Sequence, residues 1–458
     1  MINGKTFVLC KTNSILILKR PMQTTATKPV QQAGNNKGQT FAFILITSLF
    51  FLWGFAHNLD PILIPHLKKS FTLSTVQATL VDSAVFAAYF IMAIPAGFIM
   101  KKYGYKAGII IGLLTFALGS FLFVPAANTQ SYTFFLIALF IIACGLATLE
   151  TAANPYATAL GDPETGTFRL NLAQSFNGLA TTLAPLVGVK VILTKGYTDV
   201  QLKAMTDSAR KIALAAEASS VKTPYIILGI VLLLITVLFA FTKLPKIQQT
   251  DEHPTSKSIF HAFKHKHLTW GVVAQFFYVG AQVSVFSLFV LYASKSANLT
   301  DAEAGYYLIP CGLAFLVGRF LGTFIMRIVA PSRLLGTYAV INVLLCVLAI
   351  VTHGMITVYM VIGICFFMSI MFPTIFALGI KSLGGDTEFG SSLIIMSIVG
   401  GAIIPRFFGM ISDATGNIQN GYIVPLICFV VIAIFGFSGY KIVSRTEVAT
   451  SIDPGNLG

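Results

Sequence analysis

Residues 145–188 read GLATLETAANPYATALGDPETGTFRLNLAQSFNGLATTLAPLVG, and they set one carboxylate, Glu150, inside an apolar segment. A charge at bilayer depth costs about 2.5–3.5 kcal/mol even on lenient insertion scales, so an acid there is kept for a task. Asn154 follows at i+4, and the next apolar segment carries Asn171, Gln174 and Asn177 at i, i+3 and i+6, a polar stripe along one side of a helix. Two such stripes joined by a short loop can face each other across a wet cavity lined by amide and carboxylate groups. That chemistry suits a polyhydroxylated solute. The competing reading makes Glu150 a structural acceptor for a neighbouring helix.

The rest of the chain places these stripes in a membrane. Of its 458 residues 55% are hydrophobic and only 10% charged, and the mean hydropathy is +0.80, outside the range of a soluble globular domain. A helix of about 20 apolar residues crosses the hydrocarbon layer, and a chain of this length holds roughly twelve of them. The expected fold is therefore an all-α polytopic membrane protein. A formal charge of +14 would fit nucleic acid if it were clustered, but Lys and Arg are scattered between apolar spans, so no nucleic-acid partner is expected. The six cysteines, at 10, 144, 311, 346, 365 and 428, form no CxxC and read as buried thiols without disulfides or metal. A short apolar patch, Ile15 to Leu18, is too short to span and lacks a cleavage site; an extended start with Met22 as the working one is an equal alternative.

Taken in order, residues 1–40 read as a flexible cytoplasmic tail and 41–242 as six spans. Residues 243–267, KLPKIQQTDEHPTSKSIFHAFKHKH, form the one extended hydrophilic segment in the middle. Residues 268–440 hold six further spans, and 441–458 form a polar tail. With both termini cytoplasmic, the inner segments carry 20 Lys and Arg and the outer ones eight, the bias expected for that topology. The halves also repeat. PYATALG at 155–161 matches PTIFALG at 373–379, and each is followed by a short acidic loop, Asp162 and Glu164 or Asp386 and Glu388, and a Gly-containing helix with Pro185 or Pro405. Repeated six-span halves are the design of the major facilitator fold, two pseudo-symmetric six-helix bundles around a midplane site.

Seven stretches in a fixed order extend this reading: FFLWGFAHNLDPILIPHL, IPAGFIMKKYGYKAG, LETAANP, RLNLAQSFN, AQFFYVGAQ, PTIFALGIKSLG and ISDATGN. With them the chain resembles the fucose:galactose:proton symporter family of the major facilitator superfamily almost end to end. The resemblance implies proton-coupled sugar uptake across the inner membrane of a Gram-negative bacterium, with L-fucose the leading substrate and H+ the coupling ion. It also implies that Glu150 is the proton-linked glutamate, that Gln174 and Asn177 are cavity residues of the fifth helix, and that Asn58 lines the cavity from the first. Where the family shows Asn-Asp this chain has Asp60 and Pro61, which moves the carboxylate about 100° round a helix. Asp82 stands where the family's fucose permeases have an amide, which leaves the exact sugar open.

A carboxylate in a low-dielectric cavity can hold and release a proton near neutral pH, the physical basis for coupling. Glu150 and Asp60 are the expected proton-coupling pair. Asn58, Asn154, Gln174, Asn177, Gln275, Tyr278 and Gln282 are the expected substrate contacts, with core packing the alternative for Tyr278. His57, Asp82 and Arg319 are accessory candidates; Arg319 either pins helices or neutralises a buried acid. The basic loop Lys101, Lys102, Lys106 is a degraded facilitator loop motif with Lys101 where the aspartate is expected. It suits either a cytoplasmic gate that pairs with Asp162 and Glu164 or a plain topology anchor. No Walker loop, HExxH or nucleophile elbow occurs, so no enzyme activity, organic cofactor or metal is expected. The expected partners are sugar, protons and lipid, and the expected state is a monomer. Rival readings are a glucose/galactose or N-acetylhexosamine transporter of the same scaffold, a membrane sugar sensor that does not translocate, and a drug/proton antiporter.

Overall fold

The computed structural model describes residues 36–57, 80–192, 204–210, 212–213, 222–245 and 259–442. The first bundle contains α1 (Asn36–His57), α2 (Leu80–Tyr103), α3 (Tyr105–Asn128), α4 (Tyr132–Ala159), α5 (Gly166–Ile192) and α6 (Lys222–Phe241). The second contains α7 (Lys266–Ser287), α8 (Leu308–Ile325), α9 (Pro331–Val351), α10 in two pieces (Met355–Met368 and Met371–Gly379), α11 in two pieces (Thr387–Met396 and Gly400–Thr415) and α12 (Ile423–Ile434). Among the described residues eleven helical stretches are long and apolar enough to cross a membrane. The remaining long helix, α5, has 27 residues and carries the polar stripe of Asn171, Gln174 and Asn177.

The halves pack by the same rules. In the first, α3 packs on α4 and α6, α2 on α4, and α1 on α5; in the second, α9 packs on α10 and α12, α8 on α10, and α7 on α11. Adding six to each helix number converts one set into the other. The contacts between bundles obey the same operation: α2 with α11 pairs with α8 with α5, and α4 with α11 pairs with α10 with α5. Small residues bring helices together where lipid offers no hydrophobic driving force. A Cβ on Gly145 would lie 2.6 Å from the Phe116 backbone nitrogen, and one on Gly436 would lie 2.6 Å from that of Gly336.

Among the described residues, most side-chain contacts between bundles lie toward one face, the one that bears the α2–α3, α4–α5, α8–α9 and α10–α11 connections and the residues Lys101, Arg169, Arg327 and Lys381. We call it the basic face. Phe98 meets Phe389 edge-on at 5.0 Å, Asn171 Nδ2 donates to Thr374 Oγ1 at 3.2 Å, and Phe176 packs edge-on against Phe320 at 6.2 Å. Toward the other face Phe86 lies against Gly401. Lys106 reaches the C-terminal carbonyls of α6, donating to Ala240 O at 2.8 Å and Thr242 O at 3.0 Å, a cation at a helix C-terminus. Asp162 accepts from the Glu164 amide at 2.9 Å and caps its own turn. These local bonds occupy groups that the sequence offers as gate partners.

The repeated prolines explain two cross-helix bonds. Proline has no N–H, so the carbonyl four residues earlier loses its helical donor, and no lipid-exposed solution exists for it. Pro155 sits inside the continuous α4 and frees the Thr151 carbonyl, which accepts from Ser391 Oγ of α11 at 2.7 Å. Pro373 lies in the first turn of the second piece of α10 and frees the Ser369 carbonyl, which accepts from Arg319 Nε at 2.9 Å. The first donor comes from the opposite bundle, the second from the neighbouring helix.

Ser391→Ala is expected to lower the thermal stability of the purified protein by the cost of one unsatisfied buried carbonyl, roughly 1–3 kcal/mol. In a Pro155→Ala background the backbone N–H at position 155 can return to Thr151, and the same serine substitution should cost far less. Equal losses in the two backgrounds, read as thermal-shift midpoints, would contradict the assignment.

Candidate functional site

Glu150 lies on the inner side of α4 and retains 9% exposure. Tyr89 of α2, itself 4% exposed, donates its phenol to Glu150 Oε1 at 2.8 Å. An apolar helix can carry this acid because a neighbouring helix supplies a donor in a medium where unpaired charge is expensive. One turn further on, Asn154 accepts from Gln174 Nε2 at 3.2 Å, which joins α4 to α5. Asn154 Nδ2 is buried without a protein partner. The two polar stripes therefore do face each other, as their spacing predicts.

On the second bundle, Gln275 of α7 is fully buried, and both its amide nitrogen and its amide oxygen lack a protein partner. A buried polar group left unsatisfied costs about 1–3 kcal/mol, so donor and acceptor capacity stands ready on both bundles for a solute rich in hydroxyls. Tyr278, one turn along, is fully buried with its ring edge-on to Phe372 at 6.3 Å, and its hydroxyl, like the Gln275 amide, has no hydrogen-bond partner in the protein. Asn177 and Gln282 are half-buried, and Asn177 lies so close to α1 that a Cβ on Gly54 would stand 2.7 Å from its Nδ2.

Arg319 is 4% exposed. Its guanidinium donates through Nε to Ser369 O and through Nη1 to Gln174 O at 2.8 Å, so it ties α8 to the break in α10 and to α5 of the other bundle. The Ser369 carbonyl ends a half-helix and carries the negative end of its dipole, which favours a cation there. Carbon Cζ also lies 4.6 Å from the Phe315 ring centroid. Of the two roles the sequence allows, this geometry is that of a pin. A Cβ on Gly178 would meet Arg319 Cδ at 3.4 Å, so glycine leaves room for the guanidinium to approach the α5 backbone.

The remaining candidates separate. Asp82 is exposed in the first turn of α2, where an acid complements the helix dipole; it lies seven residues, or about 10 Å along the axis, from Tyr89. His57 ends α1, and its side chain lies outside the described residues, as do Asn58 and Asp60 entirely. Three groups of the assembled site escape sequence reasoning: Tyr89, Thr374 and Ser391. Tyr89 looks like any aromatic in an apolar helix. Ser391 carries a signal only through Pro155, whose freed carbonyl demands a donor. Cys144 is half-buried, and Cys311, Cys346, Cys365 and Cys428 are buried free thiols, as expected.

A family model described as Major Facilitator Superfamily matches residues 42–405. The L-fucose-proton symporter of Escherichia coli (strain K12) is 42% identical over 424 residues, which cover 90% of this chain and 97% of that protein. The glucose/galactose transporter of Brucella abortus biovar 1 (strain 9-941) is 39% identical over 412 residues, with coverage of 90% and 97%. Among solved structures, the crystal structure of the transporter FucP in the outward conformation superposes with a TM-score of 0.82 at 43% identity, covering 87% of this chain and 98% of that one.

Arg319→Lys replaces a two-pronged donor by a point charge, and Gly178→Leu pushes the guanidinium off the α5 backbone. Each is expected to leave a buried carbonyl unpaired and to lower stability by roughly 1–3 kcal/mol. Gly178→Ala places its methyl at ordinary contact distance and should be nearly neutral. Thermal-shift midpoints in one detergent check all three, and a neutral Gly178→Leu would contradict the pin.

Proposed function

Because the chain belongs to the Major Facilitator Superfamily, we propose that it imports a sugar together with a proton by alternating access, with L-fucose the leading substrate. The observation that carries this reading is the Glu150 and Tyr89 pair set one turn from the Asn154 and Gln174 amides. Protonated Glu150 favours sugar binding from outside; loss of the proton inside weakens the sugar, so a proton gradient drives uptake. Asn154, Gln174 and Gln275 bond the sugar hydroxyls, with Asn177 and Gln282 at the margin. Asn58 and Asp60 complete the first-helix side of the pocket, and His57 and Asp82 act as accessories. H+ is the coupling ion, and no organic cofactor or metal is required.

The membrane is the bacterial inner membrane, with both termini and the basic face cytoplasmic, a placement supported by the Lys and Arg bias. Closure of the bundles on that face corresponds to an outward-facing state, and it agrees with the match to FucP in the outward conformation. One chain supplies both bundles, so a monomer suffices. A second substrate reading, glucose or galactose, is favoured by the 39% identity to the Brucella abortus transporter, close to the 42% of the L-fucose-proton symporter.

Glu150→Gln is expected to abolish uphill accumulation of labelled sugar in cells while sparing sugar exchange down its own gradient. Wild-type accumulation by that variant would reject the role of Glu150. Competition against labelled L-fucose by unlabelled D-galactose, D-glucose and N-acetylglucosamine reads the substrate: L-fucose is expected to compete best, and a chain indifferent to L-fucose would reject the named sugar.

A further inference from the structure

The outer helices α9 and α12 touch near their ends at the basic face and part beyond it. A Cβ on Gly436 would lie 2.6 Å from the Gly336 backbone nitrogen, and one on Gly336 would lie 2.8 Å from the Phe437 ring, so two glycines bring the backbones into contact there. The last turn of α12 continues as a π-helix, Phe435–Gly439. Deeper in the span the two helices leave a groove of about 420 Å³ whose walls include Val340 and Leu344 of α9 and Val430, Ile434, Phe437 and Ser438 of α12. That volume lies in the range of small-ligand sites. The Ser438 hydroxyl is already spent on the Ile434 carbonyl at 2.8 Å, so the lining side chains offer hydrocarbon alone.

The groove leads to two cations. Arg333 precedes Val340 by seven residues and Leu344 by eleven, so the three share one exposed face of α9. Lys441 follows Ser438 by three residues and is also exposed. Neither side chain has a partner among the described residues. One residue past Ser438, a Cβ on Gly439 would lie 3.2 Å from Trp270 of α7, which is 43% exposed, and such an indole is typical of the headgroup level. Apolar slot, indole and unpaired cations thus follow one another in the order of a phospholipid's tail, glycerol and phosphate.

We propose that this groove binds an anionic phospholipid of the leaflet at the basic face, with an acyl chain in the slot and the phosphate held by Arg333 and Lys441. A zwitterionic lipid carries an ammonium beside its phosphate and forfeits much of that attraction. Each cation near the membrane surface should strengthen anionic binding about fivefold, and the two together up to about thirtyfold at low salt. Both walls belong to the second bundle, so the site does not depend on how the bundles rock or on which solute crosses.

Native mass spectrometry of the full-length protein in detergent, titrated with phosphatidylglycerol or phosphatidylethanolamine of matched chains, tests this directly. Phosphatidylglycerol is expected to bind at least fivefold tighter. Arg333→Gln and Lys441→Gln should each weaken it about fivefold and leave phosphatidylethanolamine unchanged, whereas Val340→Trp, at a lipid-facing position, should fill the slot and weaken both. Lys295→Gln removes an exposed cation beyond the far end of α7 and should change neither. Glycerol phosphate, a headgroup without tails, should not displace the lipid at equal concentration. Equal affinity for the two lipids, indifference to both glutamine variants, an equal loss in Lys295→Gln, unaltered binding in Val340→Trp, or displacement by glycerol phosphate would each overturn the site. Thermal-shift midpoints confirm that each variant is folded, and exposed Arg333 and Lys441 can be replaced without disturbing the core.

Discussion

A carbonyl without a donor has no refuge in hydrocarbon, and this constraint organises the contact between the two bundles. Pro155 and Pro373 each free one carbonyl, at equivalent places in the two halves. The first is filled by Ser391 from across the interface. The second is filled by Arg319, whose other prong reaches the Gln174 carbonyl of the opposite bundle. At Pro155 a local defect thus becomes a bond that only the opposite bundle supplies, and at Pro373 it anchors the arginine whose other prong crosses the interface. A transporter whose bundles must part and rejoin benefits from bonds of this kind, because water can substitute for them on the side that opens.

The same helices hold the chemistry. Thr151 follows Glu150, and Gln174, whose backbone receives Arg319, uses its side chain to reach Asn154. The polar site and the interface are therefore built from shared residues, and a change at one is transmitted to the other through covalent neighbours. A buried acid with one phenolic donor, Tyr89, is held tightly enough to stay in place. With 9% exposure it keeps a route to solvent.

Much of this was legible in the sequence, and the failures have physical causes. Span lengths, the six-plus-six repeat and the facing stripes of α4 and α5 followed from hydropathy and from 3.6-residue periodicity, and Asn154 to Gln174 is the stripe contact that periodicity foresees. Periodicity does not say which aromatic turns inward, so Tyr89 was invisible among the other apolar residues of α2. It also could not choose between the two roles of Arg319, because the Ser369 carbonyl becomes available only where α10 breaks. By sequence the lysines of the α2–α3 connection suit either a gate that pairs with acids or a topology anchor; in the fold Lys106 caps α6 and Lys101 lies over a ring, and helix carbonyl ends and π faces attract cations without announcing themselves as charges.

The most direct test of the account follows protons in proteoliposomes that contain the purified protein, with no imposed gradient of pH or voltage. Addition of L-fucose to one side should alkalinise that side in proportion to the sugar taken up, as proton and sugar cross together. Sugar that enters the vesicles with no accompanying proton movement would contradict the coupling on which the reading of Glu150 depends.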